Sequence, residues 1–275
     1  MQIGNKNFDL KNEVYIMGIL NVTPDSFSDG GTHNSLDTSL RHVEKMISEG
    51  ADIVDLGGES TRPGYTMISE EEEIERILPA IEAIHQRFDV PISVDTYKGK
   101  VGEAALKAGA DLINDIWGFK YDPYLAEVTA KYKVPCVLMH NRDNQNYTNL
   151  LADINRDLEQ SIVIALKAGI AADAIILDPG IGFAKDYNQN METMNRMESL
   201  QALGYPILLG TSRKGFIGQT LDLPVTERVE GTVATTVIGI IKGASIIRVH
   251  DIKENKRAAQ MTAGIVKGKI WTSSI

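Results

Sequence analysis

An internal disulfide is closed to this chain, because Cys136 is its only cysteine; one thiol gives no sign of an oxidising compartment. Long apolar runs are missing as well. No stretch approaches the roughly 20 residues that a membrane helix requires, and residues 1–10 are too polar for the apolar core of a secretory signal. Basic residues are outnumbered, 28 Lys and Arg against 37 Asp and Glu, for a formal net charge of −9. That balance argues against general binding to nucleic acid or to an anionic membrane surface. Aromatics are scarce, and no Cys/His cluster has metal-ligand spacing. The expectation is a cytoplasmic protein acting on small molecules. An anionic substrate stays open, since local clustering of cations matters more than the total.

What is present is alternation. Short β-branched runs predict strands over 15–20, 53–56, 92–94, 112–114, 136–139, 175–177, 207–209 and 246–249. Their near-continuous apolar character is that of strands covered on both faces. Amphipathic stretches lie between them. In one, Ile74, Ile77, Leu78, Ile81 and Ile84 share a face, with Ser69 and Glu72 placed for a capping box. In another, Leu150, Ile154, Leu158, Ile162 and Leu166 recur every four residues. A weak repeat supports the pattern: Gly50-Ala51-Asp52, Gly109-Ala110-Asp111 and Gly243-Ala244-Ser245 each join a helix end to a strand. The fold class predicted is α/β, a single (β/α)₈ TIM barrel over 1–275 with a short hairpin at 2–11. An open doubly wound sheet is the structural alternative.

Nearly every predicted strand is followed at once by residues suited to binding or chemistry. They are Asn21, Gly57 to Pro63, Asp95-Thr96, Asn114-Asp115, His140-Asn141, Asp178 to Phe183, Thr211 to Lys214 and Arg248 to Asp251. In a barrel these positions converge on one face, where active sites are built. Helix capping accounts for an isolated Asp, Asn, Ser or Thr. It does not account for Arg62, Arg213, Lys214 and Arg248, since the dipole at a helix start disfavours cations. With His250 they predict a site for a multiply charged anion such as a phosphate. Asp95, Asn114 and Asp178 supply the opposite chemistry, acceptors for a planar ring rich in N–H groups. A heterocycle carrying a phosphate group satisfies both. The long Gly-bearing loops at 21–31 and 57–67 are candidate lids, or plain surface loops.

Taken together, the ordered blocks resemble the dihydropteroate synthase family over almost the whole chain. They are residues 17–31, Asp55-Leu56-Gly57-Gly58-Glu59-Ser60-Thr61-Arg62-Pro63-Gly64, Ser93-Val94-Asp95-Thr96, Ile113-Asn114-Asp115, Leu138-Met139-His140, Asp178-Pro179-Gly180-Ile181-Gly182-Phe183, Thr211-Ser212-Arg213-Lys214 and Arg248-Val249-His250-Asp251. The resemblance implies condensation of (7,8-dihydropterin-6-yl)methyl diphosphate with p-aminobenzoate to 7,8-dihydropteroate and pyrophosphate. It implies a pterin pocket of Asp95, Asn114, Asp178 and Lys214, with Met139 and Phe183 on the ring walls. Thr61, Arg62, Arg248, His250 and Asn21 would hold the diphosphate, Asn21 also serving as protein ligand of Mg²⁺. Phe27 and Pro63 would sandwich p-aminobenzoate, near Ser212 and Gly215. Asp29, Arg62 and Lys214 would be catalytic, Asp29 by ordering the closed loop. A dissociative order of bond breaking and a homodimer formed through the last helices are also implied. Gly215 departs from the family pattern, which commonly has serine there, and leaves a backbone N–H for the p-aminobenzoate carboxylate.

Two other functions compete. A pterin-binding methyltransferase-type barrel would share the ring contacts without needing the Ser212-Arg213-Lys214 and Arg62-Pro63 blocks. A non-catalytic pterin-binding paralogue would be expected to lose some of Asn21, Lys214, Arg248 and His250. His33, His42 and His85 lie away from the strand ends and are structural or surface residues. His140 divides evenly between a site wall and a satisfied core histidine.

Overall fold

The closed barrel forms, and the open sheet does not. The structure, a computed structural model, describes residues 1–22, 31–59 and 67–266, without the side chains of 31–35. Gln2–Ile3 (β1) and Lys6–Asn7 (β2) pair as the expected antiparallel hairpin. The barrel strands are Tyr15–Asn21 (β3), Ile53–Gly57 (β4), Ile92–Asp95 (β5), Leu112–Asp115 (β6), Cys136–Met139 (β7), Ile175–Asp178 (β8), Ile207–Leu209 (β9) and Ala244–Val249 (β10). They run parallel in sequence order, and β10 closes on β3. Around them lie Gly31–Glu49 (α1), Glu70–Arg87 (α2), Gly99–Lys107 (α3), Pro123–Tyr132 (α4), Leu150–Ala168 (α5), Tyr187–Asn195 (α6), Gly215–Leu221 (α7), Val229–Ile241 (α8) and Ile252–Val266 (α9). The three repeat glycines, Gly50, Gly109 and Gly243, turn in the left-handed region at φ 103, 109 and 100°.

Side chains of successive strand residues point to opposite faces, so each apolar strand divides between two cores. One, between sheet and helices, takes Ile16, Val54, Val94, Ile113, Leu138, Leu177 and Ile247. The other fills the barrel's lower interior with Met17, Ile53, Leu112, Val137, Ile176, Leu208 and Ile246. The hairpin segment adds Ile3, Phe8 and Leu10 to that interior core, plugging the end where strands begin. Burial of each such side chain contributes roughly 1.5–3 kcal/mol. The opposite end is therefore the one left for polar groups.

Three details differ from the sequence pattern. Strands β3, β4, β5, β6 and β8 run one residue further, ending on Asn21, Gly57, Asp95, Asp115 and Asp178, and β10 begins two residues earlier, at Ala244. Backbone pairing such as Asp95↔Asn114 and Met139↔Asp178 continues regardless of side-chain polarity. In α5, Leu166 is exposed while Leu150, Ile154, Leu158 and Ile162 are buried; a strict four-residue repeat drifts about 40° per step on a helix of 3.6 residues per turn. At the start of α2 only half of the capping box forms. Ser69 accepts from the Glu72 N–H, while the Glu72 carboxylate turns to Arg76.

Candidate active site

The two-residue period that makes the lower core also makes the site. Continuing inward from Met17, Ile53, Leu112, Val137, Ile176 and Ile246, the next positions on the same face are Ile19, Asp55, Asn114, Met139, Asp178 and Arg248. Asp95 joins them beside Asn114 in the β5–β6 register. On β4, β6, β8 and β10 the barrel interior thus changes from apolar to polar or charged within one step along the strand, while Ile19 and Met139 keep β3 and β7 apolar.

Arg248 sits at the junction. Its Nε donates to Asp55 Oδ2 at 2.6 Å and its Nη2 to Asp95 Oδ2 at 2.7 Å. Asp55 is fully buried and also accepts from Ser93 Oγ and from Asn114 Nδ2, the latter at 3.3 Å. The other Asp95 oxygen, Oδ1, is buried with no hydrogen-bond partner among the described residues. A buried acceptor without a donor is rare in folded proteins and needs an explanation. Burial pushes the Asp95 carboxyl up to about 7 against the pull of Arg248. The same cause raises Asp178, which Lys214 pulls the other way.

Asp178 Oδ1 accepts from the Gly180 N–H at 2.7 Å, so its loop begins with a tight turn. The Lys214 ammonium donates to Ile181 O and lies 4.7 Å from the Phe183 ring centroid. Burial lowers it to about 8, with Asp178 acting in the other direction. Met139, Ile116 and Tyr97 form a small apolar cluster against which Phe183 and Trp117 pack. The arrangement is a slot with an apolar wall, two acids, one amide and a lysine.

Past Arg248, His250 Nδ1 lies 2.9 Å from Ser212 Oγ, and the His250 N–H donates to the same hydroxyl at 3.1 Å. Asn21 is exposed at the tip of β3. Gly215 is exposed as the first residue of α7, and a Cβ there would meet no described atom within 4 Å. Arg213 does not join the cations. It is held by both Asp251 oxygens, with Nε donating at 2.9 Å, because a guanidinium and a carboxylate at adjacent strand ends form a matched fork. Phe27, Asp29, Thr61, Arg62, Pro63 and the His33 side chain lie outside the described residues.

Sequence reading missed Asp55 as the hub, though an acid in the middle of an apolar strand is itself a signal. It also missed two buried networks. Lys98 donates to Glu59 at 2.7 Å, Glu73 at 2.8 Å and Ile68 O at 2.8 Å, and Tyr97 OH donates to Glu59 at 2.6 Å. His140 is a satisfied core histidine, fully buried between Asp157 at 3.1 Å and Lys185 at 2.9 Å. Burial lowers its ring to about 4 and the Lys185 ammonium to about 7.

A family model described as pterin binding enzyme matches residues 17–250. The chain is 62% identical over 268 residues, 97% of its length and 100% of the relative's, to the dihydropteroate synthase of Clostridium beijerinckii. It superposes with a TM-score of 0.92 on the crystal structure of dihydropteroate synthase from Clostridium difficile in the presence of pteroic acid. That pair is 50% identical, over 94% of this chain and 99% of the other. The Xanthomonas albilineans dihydropteroate synthase with 4-aminobenzoic acid superposes with a TM-score of 0.88. It is 39% identical over 93% of this chain and 94% of that one.

Proposed function

The chain belongs to the dihydropteroate synthase family, and from that premise we propose that its barrel mouth joins (7,8-dihydropterin-6-yl)methyl diphosphate to p-aminobenzoate, releasing pyrophosphate. The observation that carries the assignment of the site is the unpartnered buried oxygen of Asp95. The 2-amino-pyrimidinone edge of a pterin offers the N–H donor that this oxygen lacks among the described residues, and a further donor for Asp178, whose Oδ1 already accepts from Gly180. Asn114 adds a mixed donor and acceptor, Met139 and Phe183 cover the ring faces, and Lys214 meets the ring's acceptors. Whole-length likeness to dihydropteroate synthases favours this reading over a methyltransferase-type barrel or a non-catalytic paralogue.

In the reaction the C–O bond at the pterin methylene breaks and its electron pair leaves with pyrophosphate. The amine of p-aminobenzoate forms the new C–N bond and loses a proton. Arg248 lies between the ring acids and His250, so its remaining N–H groups and His250 hold the charged tail while Asp95 and Asp178 hold the ring. Fixed cations aimed at the departing charge lower the barrier without reorganisation. Thr61, Arg62, Phe27, Pro63 and Asp29 complete the tail and p-aminobenzoate contacts in this proposal, with Ser212 orienting His250.

Magnesium fits the donor set. Mg²⁺ retains several waters and takes one or two protein oxygens beside substrate phosphate oxygens. The exposed Asn21 amide suits that role, and among the described residues no group of three or more His, Cys, Asp or Glu forms a metal cage. When bound, the ion would neutralise charge on the diphosphate. A homodimer through the late helices is proposed as well. Met191, Leu221, Ile238 and Ile241 are exposed large apolar side chains on α6 to α8, and a second copy of that face would cover them. No described helix is long and apolar enough to cross a membrane, and a buried lone thiol suits the proposed cytoplasmic setting.

The direct test incubates purified protein with Mg²⁺, dihydropterin diphosphate and p-aminobenzoate. Dihydropteroate should form, with pyrophosphate release dependent on p-aminobenzoate; no dihydropteroate would overturn the proposal. Ring binding should also have a narrow pH optimum. Asp95 needs its negative charge, which is lost as pH falls through about 7, and Lys214 needs its proton, which is lost as pH rises through about 8. Calorimetric titration with a pterin should give affinity falling roughly tenfold per pH unit outside that window, as one essential proton on each limb requires. A flat profile contradicts these roles. At Gly215 a Cβ would meet no described atom within 4 Å, and Gly215→Ser adds a donor for the p-aminobenzoate carboxylate. Its KM for p-aminobenzoate should fall up to about tenfold, the scale of one hydrogen bond to a charge, with little change in kcat. Steady-state kinetics decides this, and a collapse in kcat at unchanged KM contradicts it.

A further inference from the structure

Burying a lysine is expensive unless its charge and all three donors are used. Lys185 is 5% exposed, and its ammonium spends its donors on His140 Nδ1 at 2.9 Å, Gly180 O at 3.0 Å and Phe183 O at 3.2 Å. Two of those acceptors are backbone carbonyls on either side of the turn that ends in Phe183. The third belongs to the residue directly after Met139.

We infer that Lys185 is a positioning residue for the dihydropterin ring, a strut that ties the loop after β8 to the end of β7 and so fixes the spacing of Phe183, Met139 and Asp178. The inference rests on the pterin site proposed above.

Several independent contacts make the strut rigid. The His140 N–H donates to Asp178 O at 2.9 Å. Its Nε2 is anchored by Asp157 at 3.1 Å, and Arg142 Nε donates to the same Asp157 oxygen. Because Lys185 presents donor hydrogens to Nδ1, the ring must be neutral with its own hydrogen on Nε2, facing Asp157. On the loop side, Gly180 has φ +67° and a Cβ there would lie 2.0 Å from His140 O, so the loop backbone rests directly on β7. Tyr147 OH donates to Ala184 O at 2.7 Å and Asn190 accepts from the Gly182 N–H at 2.6 Å. With the loop so held, Gly182 leaves room for the Lys214 stem, which a Cβ would approach to 2.9 Å. Lys185 thus acts on the ring only through the groups it places; among the described contacts it touches neither slot acid directly.

The test is a kinetic split with a double-mutant cycle. Lys185→Met should raise KM for dihydropterin diphosphate about tenfold or more and leave KM for p-aminobenzoate within about twofold. Phe183→Ala should weaken the same substrate, and the double variant should be no more than about threefold worse than the poorer single, because both remove one arrangement. A merely structural role would lower thermal stability and the active fraction while leaving both KM values near wild type, and that result overturns the inference, as does multiplication of the two single effects. Lys185→Gln, which keeps a donor in the loop, should show the same split and serves where the methionine variant does not fold. If Phe183→Ala weakens pterin binding and neither Lys185 variant does, the strut alone fails; if all of them bind the pterin as wild type does, the pterin site itself fails.

Discussion

Arg248→Met should cost about 3 kcal/mol of folding stability and leave almost no turnover. Removing one partner of a buried ion pair typically costs roughly 3–5 kcal/mol, because the other charge stays buried and unpaired. Here the guanidinium is 21% exposed, which argues for the lower end. Two carboxylates are stranded by the change, Asp55 fully buried and Asp95 nearly so. The deficit should depend on pH with a definite sign. The Asp95 carboxyl is already raised by burial to about 7 from an ordinary value near 3.8, so the folded form binds protons that the unfolded form does not. Stability from that group is lost as pH rises through this window and regained as it falls. Without Arg248 the effect grows, and the variant should recover part of its deficit between pH about 8 and 5. Thermal unfolding at several pH values, with Asp55→Asn added to the same background, measures this. A melting point within about 2 °C of wild type at all pH values would mean that Arg248 is not the counter-charge of the site.

Lys214→Met separates function from stability in the other direction. The ammonium is costly in its pocket, as its lowering by burial to about 8 records. Exchanging it for an isosteric apolar chain removes that cost while Asp178 loses a favourable charge. The two changes oppose, so the melting point should stay within a few degrees. Activity should not survive comparably. A fixed charge at a reacting centre is worth roughly 10²–10³ in rate, and here the same group also meets the ring. We expect kcat/KM for dihydropterin diphosphate to drop by at least about 10² to 10³-fold, with a normal circular dichroism spectrum. A drop below about threefold would remove Lys214 from the site. Residues kept at an energetic disadvantage inside a mouth otherwise lined by matched pairs mark where function competes with folding.

Much of the frame could be read from the chain. The apolar runs at 53–56, 136–139 and 207–209 fall inside strands β4, β7 and β9, and Asp95, Asn114 and Asp178, read as strand-end residues, stand at or next to the ends of β5, β6 and β8. That success has a simple cause: strand length, burial on both faces and the convergence of strand ends are local or architectural properties. Pairings were not legible. Arg248 and Asp55 are 193 residues apart and Arg248 and Asp95 are 153 apart, so no local rule tells which acid an arginine will meet. Arg213 illustrates the loss: its position after β9 suggested an anion site, and its partner proved to be Asp251, one strand further round the barrel. Lys185 escaped for the same reason. A lysine in a loop of mixed residues reads as solvated until β7 is seen to bring His140 against it.

A crystal structure with a non-hydrolysable dihydropterin diphosphate analogue and Mg²⁺ tests the central claim most directly. The fused ring should lie between Met139 and Phe183 with its N–H edge on Asp95 Oδ1 and Asp178, and its diphosphate should reach Arg248 and His250. Density for the ring outside the barrel mouth, or a reversed ligand with its phosphates against Asp95 and Asp178, would contradict it.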